Sequence, residues 1–131
     1  MERQTKIAIT NNDMVIDSVE SVALEFVEGD ASNVLLRVRD LVHKGFVLVS
    51  HPSAGSLKPD ESPYRTVLVA PGDAEVDFRS LAILESALDA TRKFRRRWAH
   101  MLRSADGTQA QKIKDDMKTL DLLLFKSALD S

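Results

Sequence analysis

Residues 46–70 read FVLVS-HPSAGSLKPDESPYR-TVLVA, two short apolar runs separated by a long polar connection. Each run carries apolar side chains on both faces, which is typical of strands that are covered on both sides, as in a parallel sheet. A connection of this length inside a small domain is uncommon and is often functional. It holds three of the four prolines and the single tyrosine of the chain. The stretch therefore predicts two buried strands joined by a functional segment at residues 51–65.

The residues before this stretch predict a strand followed by a helix. Residues 22–27 alternate between the two faces, as in a half-buried strand. Asp30 or Ser32 is expected to cap the helix, and Gly45 is expected to end it. Residues 22–50 are thus interpreted as a right-handed βαβ unit. The apolar positions of the helix recur at helical spacing and are Ala31, Val34, Leu35, Val38, Leu41 and Val42.

The first strand is predicted at residues 6–10, where an apolar run is followed by Asn11, Asn12 and Asp13. Only about ten residues separate this strand from the next, and a parallel crossover normally needs a dozen or more. Either a single helical turn lies between the two strands or the pair is antiparallel. The sequence leaves both alternatives open.

The carboxyl-terminal part predicts two helices. The first begins near Asp77, and its apolar positions are Phe78, Leu81, Leu84, Leu88, Thr91, Phe94, Trp98 and Met101 or Leu102. Residues 104–107 end it, and Thr108 with Gln111 is expected to form a capping box that starts the second. The apolar positions of the second helix are Ile113, Met117, Leu120, Leu124 and Ala128. The short connection predicts an antiparallel α-hairpin over residues of about 77–128, packed on the sheet.

The totals are those of one ordinary domain. The chain has 131 residues, 44% of them hydrophobic and 29% charged, with a net charge of −2 and no cysteine. This composition is globular, and the charge gives no overall case for nucleic acid or an anionic membrane. No apolar run approaches the length of a membrane span, and we expect a cytoplasmic protein. We predict a single α/β domain of residues 1–131 with three or two layers, a mostly parallel sheet of about four strands and a C-terminal α-hairpin.

A ligand site is predicted where the strands end. If the strands are parallel, residues 10–12, 50–51 and 70–72 meet at one rim, and ligands of open α/β sheets bind at such a rim. Backbone amides of residues 53–56, turned inward by Gly55, together with the charge of Lys58, would bind a small anion such as phosphate or a carboxylate. The predicted ligand-binding residues are Asn11, His51, Ser53, Gly55, Ser56, Lys58, Tyr64 and Arg65.

An enzyme active site and a metal site are two other interpretations of residues in the same connection. His51 with Ser53 or Ser56 could serve as base and nucleophile of an enzyme that acts on a small phosphorylated or carboxylated substrate. No nucleophile-elbow signature accompanies them, and we do not favour catalysis. Asp60 and Glu61 are better explained as solvated loop residues than as a metal pair. We predict neither a metal nor a cofactor.

A nucleic-acid-binding module is the third alternative, because residues 92–97 are rich in arginine. A solvated helix face has the same pattern. Asp89 stands one helical turn before Lys93, and Asp115 and Asp116 could pair with the arginines. We therefore favour a structural or protein-binding role for the arginines, and we assign Phe94 and Trp98 to the core.

Two stretches carry a family resemblance: Arg39-Asp40-Leu41-Val42-His43-Lys44-Gly45 and the later string H-P-x-x-G-S-x-K-P-x-x-x-P-Y of residues 51–64. On these residues, the segment of residues 34–71 resembles the GrdX family. Members of that family are small proteins encoded beside the glycine, sarcosine and betaine reductases of anaerobic bacteria, and the family has no established activity. The resemblance implies an accessory or regulatory protein of amino-acid reductase metabolism. Its partner would be a small anion or a component of the reductase complex, and a homodimer stays open.

Overall fold

The computed structural model describes residues 5–50, 62–73 and 75–130. In these residues, strands and helices alternate as far as the third strand, and then a fourth strand and two long helices follow. The strands are β1 (Ile7–Thr10), β2 (Ala23–Phe26), β3 (Phe46–Leu48) and β4 (Thr66–Pro71). The helices are α1 (Asp13–Ser18), α2 (Ala31–His43), α3 (Phe78–Ser104) and α4 (Gly107–Asp130).

The four strands form one mixed sheet in the order β2-β1-β4-β3. β1 pairs in parallel with β2, whereas β4 runs antiparallel to both of its neighbours, β1 and β3. The prediction of a mostly parallel sheet is therefore wrong. The apolar pattern of β4 reflects its central position between two helical layers, and this position buries both faces whatever the strand direction. β3 lies at the edge of the sheet and Val49 after it is 44% exposed, so this strand is less buried than the sequence predicts.

The open question about the first two strands is decided in favour of the parallel pair. The six-residue helix α1 fills the short connection between β1 and β2. Asn12 caps this helix, because its side-chain oxygen accepts a hydrogen bond from the backbone nitrogen of Met14 at 3.0 Å. A capped helix of six residues is thus enough to return the chain to the start of a parallel strand.

Helix α2 has the bounds and the buried face that the sequence predicts. Asp30 is its N-cap and forms a capping box with Asn33. Gly45 follows its last turn with φ 103°, a conformation that glycine adopts without steric cost. The six apolar residues of the predicted stripe are all buried. α2 therefore covers one face of the sheet through a continuous apolar surface.

The domain has three layers, because the helices pack on both faces of the sheet. Successive strand residues point to opposite faces, so Ile9 joins the core beneath α2 and α3 while Ala8 joins the core beneath α1 and α4. Leu84 and Leu88 of α3 lie in the first core, and Phe125 of α4 lies in the second. The two C-terminal helices are consecutive, as predicted, but the parts that contact the sheet lie on opposite faces.

Two details of α4 differ from the prediction. The capping box is formed two residues earlier than predicted, by Asp106 and Gln109. The buried residue of its apolar face is Phe125, whereas Leu120 is 38% exposed. The run from residue 120 to residue 125 is apolar at five of six positions, and spacing alone does not identify which of these positions faces the sheet.

Residues 92–117, here called the helical arm, join the two helical layers. Thr91 is the last buried residue of α3, and Lys118 is the first residue of α4 that hydrogen-bonds to the edge of the sheet. No residue of the arm is buried. Among the helices of the described residues, none is both long enough and apolar enough to cross a membrane.

Candidate functional site

A group of polar side chains lies at the end of the sheet where β1 ends and β4 begins. Thr10 and Thr66 lie opposite each other in the antiparallel register of these strands. β3 is parallel to β1, so Ser50 also lies at this edge, and the chain leaves it there and returns at Ser62. We call this end of the sheet, formed by the carboxyl ends of β1 and β3 and the beginning of β4, the rim. Residues 70–72, in contrast to the prediction, lie at the other end of β4, where Gly72 donates to the carbonyl of Gly45 at 2.9 Å.

Asn11 fixes the returning chain to the rim. Its side-chain nitrogen donates to the carbonyl of Pro63 at 2.8 Å and to that of Gly29 at 2.9 Å. Its side-chain oxygen accepts from the backbone nitrogen of Arg65 at 2.9 Å. Asn11 is 7% exposed. The side-chain amide of Asn11 thus gives hydrogen-bond partners to the backbone groups that precede β4. It also joins these residues to the chain before α2.

A chain of hydroxyl groups leads from the rim to a carboxyl group of α4. The Thr66 hydroxyl donates to Oδ2 of Asp121 at 2.7 Å. Because a hydroxyl has one proton, the Thr10 hydroxyl is the donor in its 2.7 Å contact with Thr66. Thr10 in turn accepts from the backbone nitrogen of Asn12 at 3.0 Å. The chain of donors is therefore directed toward Asp121.

Asn12 connects the same carboxyl group to α1. Its side-chain nitrogen donates to Oδ2 of Asp121 at 3.0 Å and to the carbonyl of Lys118 at 2.9 Å. Its side-chain oxygen caps α1. Asn12 is fully buried, and every hydrogen-bonding group of its amide has a partner in this arrangement or in the cap. One side chain thus aligns α1, α4 and the end of β1.

The environment of Asp121 favours its protonated form. The residue is only partly buried as a whole, but its carboxyl group is enclosed by protein. Burial raises the pKa of this carboxyl above its ordinary value, and the hydrogen bonds from Asn12 and Thr66 and the charge of Arg65 oppose only part of the rise. The carboxyl group of Asp121 therefore keeps a proton to higher pH than a solvated aspartate.

A second group of charges flanks the rim. Lys118 forms an ion pair with Asp13 at 3.1 Å, and its ammonium lies 5.5 Å from the centre of the Tyr64 ring. Burial raises the pKa of the Tyr64 hydroxyl, and the charge of Lys118 opposes this. Burial lowers the pKa of Lys118, but the hydrogen bond to Asp13 and the neighbouring charges outweigh it, so that the net shift is upward. Lys118 therefore stays charged beside the ring.

Three of the predicted ligand-binding residues lie in the described part of the chain, and the structure brings them together. Asn11 and Arg65 share a hydrogen bond, and Tyr64, the residue before Arg65, lies beside the ammonium of Lys118. Asn11 and Arg65 are buried, Arg65 at 3% exposure, and this placement makes them anchors of the rim. Outside the described residues lie His51, Ser53, Gly55, Ser56 and Lys58, and also Asp60 and Glu61.

Sequence reasoning missed the residues that build the rim. It placed Thr10 and Asn12 near the site but gave them no role, and it left out Thr66, Lys118 and Asp121. One signal was present: Asp121 is the single charged residue in the apolar run of residues 120–125. A lone carboxylate in such a run is either solvated or hydrogen-bonded when it faces the sheet. The hydrogen-bond partners of Asp121 are the N-cap residue of α1 and the first residue of β4, both more than 50 residues away.

The arginine-rich segment is divided between structure and surface. Arg95 donates to the Ser32 hydroxyl at 2.7 Å, and its Nε lies 3.3 Å from Oδ2 of Asp30. Arg97 lies over the Phe94 ring, with its guanidinium carbon 5.1 Å from the ring centre. Arg92, Lys93 and Arg96 are exposed. The two aspartates that were expected to pair with these arginines contact other residues instead. Asp115 accepts a hydrogen bond from Gln111, and Asp116 forms an ion pair with Lys112.

A cleft of about 850 Å³ lies near the beginnings of β1 and β2 and the end of α4. Its described lining residues include Lys6, Glu20, Val49, Leu68 and Lys126, and none of them is a predicted site residue. Among the described residues there is no group of three or more His, Cys, Asp or Glu side chains that could hold a metal ion.

Comparisons with known proteins give one match. The family model of GrdX-like proteins matches residues 7–130, which is nearly the whole chain. Neither a curated protein nor a solved structure matches it.

Proposed function

The chain belongs to the family of GrdX-like proteins, and we propose that it is a non-catalytic accessory or regulatory protein of glycine, sarcosine and betaine reductase metabolism. The family suggests an association with systems related to glycine reductase. The proposed site is the connection of residues 51–65, which would bind a small anion or a reductase component at the rim. The match of residues 7–130 supports the setting, and the geometry of the rim supports the position of the site.

The ends of the strands support this position. The carboxyl ends of β1, β2 and β3 share one edge of the sheet, and ligands of open α/β sheets bind beyond such an edge. Ser50 and Ser62, the described residues on either side of this connection, both lie at this edge. A site in this connection would therefore begin and end on fixed backbone.

The observation that carries the proposal is the double contact of Asn11 with Pro63 and Arg65. A buried amide that holds two backbone groups of one connection resists their displacement, because breaking the contacts would leave buried polar groups without partners. Tyr64 lies between these two fixed residues and near Lys118. We assign Asn11 and Arg65 to positioning. The proposed ligand contacts are those of His51, Ser53, Gly55, Ser56, Lys58 and Tyr64.

Thermal stability tests the small-anion form of the proposal. Inorganic phosphate, glycine, sarcosine and betaine are titrated separately, and a ligand that binds only the folded state raises the melting temperature by mass action. Replacing Lys58 with Met should abolish the shift given by an anion. Lys44→Met is the matched control, because Lys44 is exposed and lies near Gly45 at the opposite edge of the sheet. Equal shifts in both variants would contradict the proposed site.

Capture by purified glycine reductase components tests the partner form. The full chain is immobilised, and each purified component is passed over it. Binding that is weakened by His51→Ala or Lys58→Met and unchanged by Lys44→Met would support the proposal. Absence of both ligand shifts and component binding would overturn it.

A further inference from the structure

The charges of this chain are separated into two segments of opposite sign. Residues 7–36 contain six acidic residues and no Lys or Arg. Residues 90–105 contain six basic residues and no Asp or Glu. The whole chain has 18 Lys and Arg against 20 Asp and Glu, so that 12 basic residues against 20 acidic ones remain outside residues 90–105 and give a formal charge of −8 there. A near-neutral total thus conceals a strongly polar distribution.

Each segment keeps exposed charges that form no ion pair with any of the described residues. In residues 5–50, 62–73 and 75–130 no salt bridge involves Arg92, Lys93, Arg96 or Arg103, and all four are exposed. The same holds on the acidic side for Asp17, Glu20 and Glu28. We call the first set the basic surface and the second set the acidic surface. Arginine predominates in the basic surface, and its planar guanidinium binds carboxylates through paired hydrogen bonds.

The two charged segments meet at one ion pair. Arg95 of α3 pairs with Asp30, the last acidic residue of residues 7–36. Arg96 follows Arg95 directly in the sequence, and Glu28 precedes Asp30 by two residues. One end of each charged segment is therefore held beside the other within the chain, while Arg103 lies later on α3 and Asp17 lies on α1.

Both surfaces also carry exposed apolar side chains. Met101, 39% exposed, lies in the basic segment. Ile16 and Phe26, 37% and 48% exposed, lie in the acidic segment. Phe26 is on β2, an edge strand with one side unpaired in the described sheet. A contact between a basic and an acidic surface would therefore also bury apolar area, which strengthens an interface that charges alone would only orient.

We propose that the basic surface of one chain docks on the acidic surface of a second copy to form a two-fold symmetric dimer. Neighbouring patches of opposite sign suit a two-fold axis, because each copy offers both halves of the contact and the pair is made twice. The occupant is a second copy because the chain itself supplies the complementary charge. Dimerisation is independent of the proposed reductase role.

Sedimentation of the full-length chain over a wide range of concentration tests this dimer. At about 0.1 M salt the Debye length is about 10 Å, and at about 1 M it falls to about 3 Å. A dimer at the lower salt that dissociates at the higher salt is the expected result. A chain that is monomeric at both salt concentrations overturns the proposal.

Charge reversal identifies the surfaces. Arg92→Glu with Arg96→Glu, and separately Asp17→Lys with Glu20→Lys, should each raise the dimer dissociation constant roughly tenfold or more, since several attractions become repulsions. The four substitutions together should restore dimerisation, because the signs are exchanged on both sides. Arg79→Glu, an exposed change on α3 outside the basic segment, is the matched control.

The variant with all four substitutions keeps the test decisive even if one double variant loses stability, because a variant that dimerises must be folded. Circular dichroism is recorded for each variant. A dimer that is unaffected by the reversals overturns the assignment of these surfaces. Retention on a short DNA or RNA duplex by a chain that stays monomeric, with loss of retention in the Arg92→Glu, Arg96→Glu variant, would also overturn it and would assign the basic surface to nucleic acid.

Discussion

The hydroxyl of Thr66 donates to the carboxylate of Asp121 at 2.7 Å, across 55 residues of chain. This bond joins the first residue of β4 to the helix that covers the far face of the sheet. Asn12 adds a second donor to the same oxygen at 3.0 Å. The last helix is therefore fastened to the rim by a polar contact, while Phe125 one turn later fastens it by an apolar one. The position of α4 depends on both.

Removal of the carboxyl group should destabilise the fold. Asp121→Ala leaves the Thr66 hydroxyl and the Asn12 amide without their shared acceptor in a buried place. We expect a loss of about 1–3 kcal/mol in the free energy of unfolding. Asp121→Asn keeps an acceptor oxygen of the same shape and should cost less. Urea unfolding followed by circular dichroism measures both, and equal midpoints for the wild type and Asp121→Ala would contradict the structural role.

Stability should depend on pH through the same carboxyl group. Its pKa is raised in the folded protein from the ordinary value of 3.8, mainly by burial. Between 3.8 and the raised folded value, the folded state binds more protons than the unfolded state, so that stability falls as pH rises through this window. Above the window the full cost of the buried charge remains. Asp121→Asn has no such proton, and its stability relative to the wild type should increase from pH 4 upward.

The measurement is a comparison of urea midpoints for the wild type and Asp121→Asn at several pH values on both sides of 3.8. Taking the difference between the two proteins cancels the contributions of the other carboxylates. The difference in urea midpoint could instead be independent of pH, or it could shift in favour of the wild type as the pH rises. Either result would show that burial does not control the pKa of Asp121.

Local patterns predicted the helices well. Asp30 and Gly45 mark the ends of α2 because an N-cap and a left-handed glycine are properties of a few neighbouring residues. Strand direction is a property of distant pairs. The apolar runs of β3 and β4 are compatible with either direction, and the prediction of a mostly parallel sheet was wrong for that reason.

The rim could be predicted only in outline. Asn11 was expected there because it follows β1, but its contact with Arg65 depends on the antiparallel register of β1 and β4. Asp121 belongs to the rim because α4 crosses to the opposite face from α3. Neither relationship is encoded in spacing along the chain. Which face of α4 is buried was likewise decided by tertiary packing, since apolar residues surround most of the helix at residues 120–125.

Arg95 should contribute to stability although the segment around it is exposed. It contacts both Asp30 and Ser32 at the beginning of α2 and so ties α3 to that capped end. Because the pair is partly exposed, Arg95→Ala should cost only about 0.5–1 kcal/mol. Arg79→Ala, an exposed change on the same helix, is the control and should change stability by less than about 0.5 kcal/mol. Urea unfolding measures both, and equal effects would contradict the contact.

Two glycines should respond in opposite ways to replacement by alanine. Gly29 has φ 114°, and a Cβ atom added to it would lie 2.3 Å from the side-chain oxygen of Asn33. That oxygen accepts from the backbone of Asp30 in the capping box, so Gly29→Ala would strain the backbone and disturb the cap. We expect a loss of about 1–3 kcal/mol.

Gly107 begins α4, and a Cβ atom there would meet nothing within 4 Å. Gly107→Ala should therefore be neutral or should stabilise the protein by up to about 1 kcal/mol, since alanine loses less backbone entropy in a helix. Thermal and urea unfolding of the two variants in parallel measure the contrast. If Gly29→Ala is as stable as Gly107→Ala, the chain before α2 does not require the left-handed conformation, and the capping box of Asp30 and Asn33 contributes little to the start of this helix.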